Sequence, residues 1–228
     1  MGSEDVRPAY YALAPGGWRD YVTLLHPPYT AWHLSYVAVG AALAPTFHLD
    51  RMLWALLAFA LALGVAAHAL DELRGRPLRT RIGDGTLWAL AVGSLAGAVA
   101  IGIGASVAWG WALLPFVAIG AFLVPAYNLE LFGGRFHSDL WFALAWGAFP
   151  ALVGYVVEAQ TLRVEAVLAA AYATALSLAQ RALSTPVRAA RREAGDTTGT
   201  EPLERALRAG VWASVLVALA LVASRVAT

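Results

Sequence analysis

The sequence predicts an all-α membrane protein, a polytopic bundle of about seven transmembrane helices. Hydrophobic residues make up 60% of the chain and the mean hydropathy is +0.62, which is too apolar for an ordinary soluble domain. A helix that crosses a bilayer needs roughly 20 mainly apolar residues, and about seven such stretches occur here. The charged residues are concentrated between these stretches, where connections outside a membrane would lie.

The predicted spans cover residues 30–47, 52–70, 86–104, 107–126, 140–157, 164–183 and 207–225. Because residues 86–126 form too long an apolar run for one span, a break between two helices is expected near 104–106. The connections are too short for a separate soluble domain, so residues 1–228 are predicted to form a single membrane domain. Residues 188–204, the most polar segment, are expected to form a loop with little order.

The first 25 residues lack the basic start and the apolar core of a signal peptide. Tyr10, Tyr11, Trp18 and Tyr21 lie there among charged residues, a mixture typical of segments that follow a membrane surface. Residues 1–25 are therefore predicted to be an interfacial segment anchored by these rings. The absence of cysteine excludes disulfide bonds and thiol catalysis.

All 16 basic residues are arginines, and their distribution predicts the orientation of the chain. If the N-terminus is cytoplasmic, 13 arginines fall on the cytoplasmic side and only Arg51, Arg163 and Arg225 fall outside. This asymmetry follows the positive-inside rule. We therefore predict a multi-pass protein of the plasma membrane, with its N-terminus and its charged loops in the cytoplasm.

The stretch from residue 64 to residue 85 carries the strongest candidate site. His68, Asp71 and Glu72 are spaced i, i+3 and i+4, which places them near one face of a helix. Asp71 and Glu72 are expected to bind Mg²⁺, which needs one or two carboxylates and completes its shell with water and phosphate oxygens. Arg76 and Arg79, in the basic loop that follows, have planar forks suited to phosphate.

Other interpretations of the same residues remain open. Asp71 and Glu72 could form ion pairs with Arg74 or Arg76 at the solvent-exposed edge of the bundle. The arginines of this loop could also serve only to keep it in the cytoplasm, without binding phosphate. A zinc site made of His68, Asp71, Glu72 and His137 is weaker, since the spacing matches no common zinc motif.

A second loop and a polar stripe suggest where further ligand contacts lie. Residues 127–139 combine Tyr127, Asn128, Arg135 and His137, groups that bind phosphate or metal. In the span 164–183 and just beyond it, the side chains Thr174, Ser177, Arg181 and Ser184 recur at spacings of three and four, a stripe that should face the bundle interior. A short internal similarity between residues 67–79 and 179–188 predicts that the two halves of the chain meet at one cavity.

At these residues the chain resembles the UbiA superfamily of integral-membrane prenyltransferases. That family carries Asn-Asp-x-x-Asp-x-x-x-Asp after its second helix, where this chain has His68-Ala69-Leu70-Asp71-Glu72, followed by an element that resembles residues 76–82. Residues 127–131 resemble the family's Tyr-x-x-x-Lys loop, with Leu131 in place of the lysine. Residues 180–188 fall where the family has a second acidic motif, and they contain no carboxylate.

The resemblance implies transfer of an isoprenoid chain from a prenyl diphosphate to a small or lipidic acceptor, in a cavity open to the cytoplasm and to lipid. It implies that Asp71 and Glu72 hold one Mg²⁺ on the diphosphate, with His68 beside them in the catalytic set. The residues it implies for the substrate are Arg76, Arg79, Arg135, Arg181, Tyr127, Asn128 and Gln180. Two alternatives are a non-catalytic isoprenoid- or lipid-binding protein on this fold, and an enzyme that uses His68 or His137 in acid/base chemistry. No nucleic-acid partner is expected.

Overall fold

A computed structural model of the chain describes residues 7–194 and 197–227, and every regular element within these ranges is a helix. The first six residues of the predicted interfacial segment and residues 195 and 196 of the predicted polar loop lie outside the described residues. The main helices are α1 (Trp18–Leu24), α2 (Pro27–Leu43), α3 (Leu49–Leu73), α4 (Asp84–Trp109), α5 (Trp111–Asn128), α6 (Asp139–Ala159), α7 (Val164–Arg192) and α8 (Glu201–Val226).

Six of these helices, α3 to α8, are by length and composition able to cross a membrane. The prediction of an all-α fold is therefore confirmed, and that of a membrane protein is supported. The first predicted span corresponds to α2, which has only 17 residues and is shorter than the other six. Seven membrane crossings accordingly remain a prediction.

Helix α2 forms the centre of the bundle because glycines allow its neighbours to approach closely. A Cβ added to Gly40 would overlap the backbone of Ala151 in α6, and one added to Gly154 would overlap the carbonyl of Val37. Such contacts between small residues are typical of packed membrane helices. On the other side, Gly210 of α8 lies against the ring of buried Trp32.

The predicted break between α4 and α5 lies elsewhere, and two long helices contain π-helical segments. The break between α4 and α5 is at Gly110, not at 104–106, because Gly110 has a φ of 146°, which favours glycine, whereas residues 104–106 remain helical. Helix α6 is π-helical over Ala143–Ala148. Helix α3 has a similar π-helical segment at Ala60–Ala67, just before His68.

Two polar or interfacial predictions are corrected. Residues 188–192 continue α7, so the predicted loop of 188–204 is shorter than expected at its N-terminal side, and α8 begins at Glu201. In the N-terminal segment, Trp18 is 70% exposed, as an interfacial anchor would be. Tyr10 and Tyr11 instead pack onto the bundle, where Tyr10 lies under the guanidinium of Arg208 at 4.9 Å.

The connections that follow α3, α5 and α7 lie at the same end of the bundle, which we name the charged end. Arg74, after α3, pairs with Glu130, after α5, at 2.6 Å. The opposite end is closed by other contacts: the backbone N–H of His48 donates to Glu158, and Arg225 donates to the carbonyl of Ala44. These contacts show which end of the bundle each of these helices points towards.

If the charged end is cytoplasmic, as the arginine distribution predicts, single cysteines at Gly83 and Ser138 should react only with reagents added from the cytoplasmic side. Cysteines at Leu49 and Thr161, at the opposite end, should react only from outside. All four positions are exposed, and the chain has no cysteine to give a background. The measurement is thiol labelling in sealed vesicles of known orientation, and labelling of Gly83→Cys from outside would reverse the assignment.

Candidate functional site

A polar cavity of about 490 Å³ lies at the charged end of the bundle. Its wall comes from the N-terminal segment, from the start of α2 and α6, and from the ends of α3, α5 and α7. The lining is dominated by cationic and ring side chains: Arg74, Arg181, Arg188, Arg191, Arg192, His26, His33, His68, His137, Tyr10, Tyr11, Tyr29 and Tyr127. We call it the polar cavity.

Several of the residues predicted from the sequence line the polar cavity: His68, Asp71, Tyr127, Asn128, Gln180 and Arg181. Asp71 lies near the end of α3 and Arg181 lies on α7, and both helices run towards the charged end. The prediction that the two halves of the chain meet at one cavity is therefore confirmed.

Glu72 does not line the cavity, although it is adjacent to Asp71 in the sequence. It is fully buried, and its carboxylate accepts hydrogen bonds from the N–H of Leu78 at 2.9 Å and from the N–H and hydroxyl of Thr80 at 2.8 and 2.9 Å. Both carboxylate oxygens are engaged by the connection between α3 and α4, which we call loop 74–83. The structure thus shows Glu72 holding loop 74–83 in place, and its metal-binding role stays a prediction.

Three arginines predicted to bind the substrate also lie outside the polar cavity. Arg76 donates to the carbonyl of Ile82 and pairs with Asp84 at the start of α4, so it closes loop 74–83. Arg79 and Arg135 are exposed. The cationic wall of the cavity is instead supplied mainly by α7.

Arg188, Arg191 and Arg192 line the cavity and are the main site residues that the sequence analysis does not single out. They continue the polar stripe of α7. Arg188 comes four residues after Ser184, and Arg191 and Arg192 come three and four residues after Arg188. Side chains at these spacings share one helical face. Extension of the stripe beyond Ser184 was the signal available in the sequence, but the expected start of a loop at residue 188 cut it short.

Three of the cavity arginines have carboxylate partners. Arg74 pairs with Glu130, and Arg181 pairs with Asp139 at 2.6 Å while its guanidinium lies over the ring of Phe142. Arg191 donates twice to Glu204, which is 5% exposed. Arg188 makes no salt bridge within the described part of the chain, and its buried Nε has no hydrogen-bond partner there.

A stacked pair of histidines forms another part of the cavity wall. The rings of His26 and His68 are 4.1 Å apart between centroids, and the Tyr11 hydroxyl lies 2.5 Å from Nδ1 of His26. Nδ1 of His68 donates to the carbonyl of Gly64 at 3.0 Å. Burial lowers the pKa of His26 well below its usual 6.5, so its ring is neutral at neutral pH.

Five buried polar atoms on the cavity wall have no hydrogen-bond partner among the described residues: Nε of Arg188, the hydroxyl of Tyr10, Nε2 of His26, Oε1 of Gln180 and Nδ1 of His33. Gln180 is 3% exposed and its Oε1 accepts no hydrogen bond, and His33 is 4% exposed with Nδ1 unpartnered. A buried polar atom left without a partner costs free energy, so native structures normally supply one from protein, water or ligand. These atoms therefore mark positions where a bound molecule would be stabilised.

A second, apolar cavity of about 110 Å³ adjoins the polar one. Its lining residues come from α3, α4, α5 and α6 and are all glycine, alanine, aliphatic or aromatic; Ala98, Gly120 and Phe149 are among them. Leu63 and Trp146 line both cavities. A charged compartment and an apolar one thus share a wall of two side chains.

The polar cavity offers few donor groups to a Mg²⁺ ion among the described residues. Glu72 is engaged by loop 74–83, Glu130 is paired with Arg74, and Asp71 has the positive charges of Arg188 and Arg192 as neighbours. Among the side chains that the structure describes, no group of three or more His, Asp or Glu residues is arranged to hold a metal ion. The four residues of the weaker zinc alternative form no such group either.

Comparison of the chain with protein-family models, with curated proteins and with solved structures finds no match.

Proposed function

We propose that the protein is a membrane prenyltransferase similar to the UbiA superfamily, which transfers an isoprenoid chain from a prenyl diphosphate to a small or lipidic acceptor. One observation carries the proposal: the arginine-lined cavity and the apolar cavity meet at Leu63 and Trp146. A prenyl diphosphate has the same division, with a highly charged head joined directly to a long apolar tail. The head would lie in the polar cavity and the tail in the apolar one.

In this proposal the arginines supply the electrostatic part of catalysis. When the bond between the first prenyl carbon and the diphosphate oxygen breaks, the electron pair leaves with the diphosphate, and its negative charge rises. Arginines placed around that group stabilise the charge as it develops. The acceptor forms the new bond to the prenyl carbon and loses a proton, which the carboxylate of Asp71 in the cavity wall would accept.

The proposed location follows from the same division of charge. With the charged end in the cytoplasm of a plasma-membrane protein, a water-soluble acceptor or diphosphate product would exchange with the cytoplasm. The apolar cavity lies between helices that are long enough to cross the membrane, so a tail would remain at the depth of the lipid hydrocarbon.

Two other functions are supported by specific observations. The residues that resemble the family's second acidic motif carry no carboxylate, which favours a protein that binds an isoprenoid lipid without transferring it. The contacts among Tyr11, His26 and His68 favour the alternative of histidine-based acid/base chemistry in the same cavity.

Ala98→Leu tests the tail site. Ala98 lines the apolar cavity and is 9% exposed, so a leucine side chain there would displace part of a bound tail. Each displaced methylene loses about 0.8 kcal/mol, so the affinity for geranylgeranyl diphosphate should fall roughly tenfold to fiftyfold if two or three are displaced. The measurement is calorimetric titration in detergent.

Ala100→Leu is the matched control, because Ala100 lies on the same helix with its side chain exposed and outside the cavity. It should bind geranylgeranyl diphosphate like the wild type, and both variants should bind inorganic pyrophosphate equally well. Equal affinity of the two variants for geranylgeranyl diphosphate would contradict the proposed position of the tail.

A further inference from the structure

We infer that the arginines of α7 hold the diphosphate head group directly, with no divalent cation bridging it to the protein. The inference rests on the proposed function, since it concerns the head group of the same substrate. It departs from what the resemblance to magnesium-dependent prenyltransferases implies, and it depends on three features of the polar cavity.

The first feature is a row of cations on one face of α7. Arg181, Arg188 and Arg192 all line the cavity, at spacings of seven and four residues. These spacings place the three guanidinium groups along one side of the helix. Each guanidinium can donate two parallel hydrogen bonds to a phosphate group, so neighbouring arginines can engage both phosphates of a diphosphate.

The second feature is that Arg188 forms no direct salt bridge with any described residue, although Asp71 lies near it. Its neighbours Arg181 and Arg191 are held by Asp139 and Glu204, whereas Arg188 forms no salt bridge within residues 7–194 and 197–227. Its Nε is buried and has no acceptor there. A buried cationic group is stable only when it is paired or hydrogen-bonded. An anionic ligand at Arg188 would provide both the charge and the acceptor.

The third feature is the position of the carboxylates. Glu72 is committed to loop 74–83 and Glu130 to Arg74, which leaves Asp71 as the one predicted metal ligand that faces the cavity. Five arginines and two carboxylates line the cavity, so its wall already attracts a multiply charged anion. A divalent cation would have to sit beside Arg188 and Arg192 on a single carboxylate, whereas the anion can contact these arginines directly.

The inference gives opposite expectations for two variants. Arg188→Gln should weaken binding of geranylgeranyl diphosphate roughly tenfold to a hundredfold, because a charge-assisted contact is lost. Asp71→Asn should bind it as tightly as the wild type or more tightly, because a negative charge near the diphosphate is removed. If Asp71 instead held a bridging Mg²⁺, the Asp71→Asn variant would be the weak binder.

The experiment is a set of calorimetric titrations with geranylgeranyl diphosphate and with geranylgeraniol, in Mg²⁺ and in chelator. Wild type, Arg188→Gln and Asp71→Asn are compared with Arg205→Gln, which removes an exposed arginine of α8 outside the cavity. We expect the wild-type affinity for the diphosphate to be equal in Mg²⁺ and in chelator. Arg205→Gln should match the wild type, and affinity for the alcohol should be similar in all four proteins.

Loss of diphosphate binding in chelator, together with weak binding by Asp71→Asn, would overturn the inference and leave the proposed function intact. Equal affinities for diphosphate and alcohol in every protein would overturn the inference and favour the lipid-binding alternative. Failure of the wild type to bind either ligand would overturn the proposed function itself. If Arg188→Gln does not fold, Arg192→Gln and the chelator titration of the wild type still test whether the arginines bind the diphosphate without a divalent cation.

Discussion

Gly154→Ala is expected to destabilise the bundle by about 1–3 kcal/mol, as overpacking of a close-packed interior does. The new Cβ would overlap the carbonyl of Val37, which is backbone and cannot move aside by a change of rotamer. Helices α2 and α6 would have to separate, and these helices carry His33 and Trp146 of the polar cavity. The melting temperature in detergent should fall by about 2–4 °C for each kcal/mol in a chain of this length.

Gly93→Ala provides the matched comparison, since Gly93 is also a glycine within a long apolar helix. No atom of another helix lies within 4 Å of the position that its Cβ would occupy. Alanine also has the higher helix propensity, so this variant should melt at the wild-type temperature or above it. Equal melting temperatures for Gly154→Ala and Gly93→Ala would show that α2 and α6 do not pack as closely as described.

The sequence predicted the long helices well because the apolar stretches are long and their boundaries are polar. Five of the predicted spans begin and end within the bounds of one long helix each, α3, α4, α6, α7 and α8. The ends of helices were harder to predict. The arginines from 188 to 192 suggested a solvated loop, but they continue α7 because their side chains face a polar cavity inside the protein.

The candidate site was predicted in part, and the errors have a physical cause. Asp71 and Glu72 are adjacent, and adjacent residues on an α-helix point about 100° apart. Only the tertiary fold decides which of them faces the cavity, and the return of loop 74–83 over Glu72 makes that decision. Similarly, Tyr11 has an apolar ring and a polar hydroxyl, which suit both a membrane interface and a contact with His26.

Glu72→Ala should destabilise loop 74–83 by about 3 kcal/mol, because three buried donors lose their acceptor at once. The backbone N–H of Leu78 and the N–H and hydroxyl of Thr80 would be left unpaired in a buried environment. Opening of the loop should therefore become roughly a hundredfold more frequent. The effect should be equal in Mg²⁺ and in chelator, since the carboxylate acts on the loop and not on a metal.

Limited trypsin digestion measures this directly, because the loop contains Arg74 and Arg79, which are exposed. Initial cleavage within residues 74–83 should be much faster in Glu72→Ala than in the wild type. Asp71→Asn should be cleaved at the wild-type rate, because it keeps the backbone contact to Arg74 and changes a side chain that makes none of the hydrogen bonds described for the loop. A metal-binding role for Glu72 predicts a different pattern. Mg²⁺ would then protect the wild-type loop, chelator would remove that protection, and Asp71→Asn and Glu72→Ala would be cleaved alike.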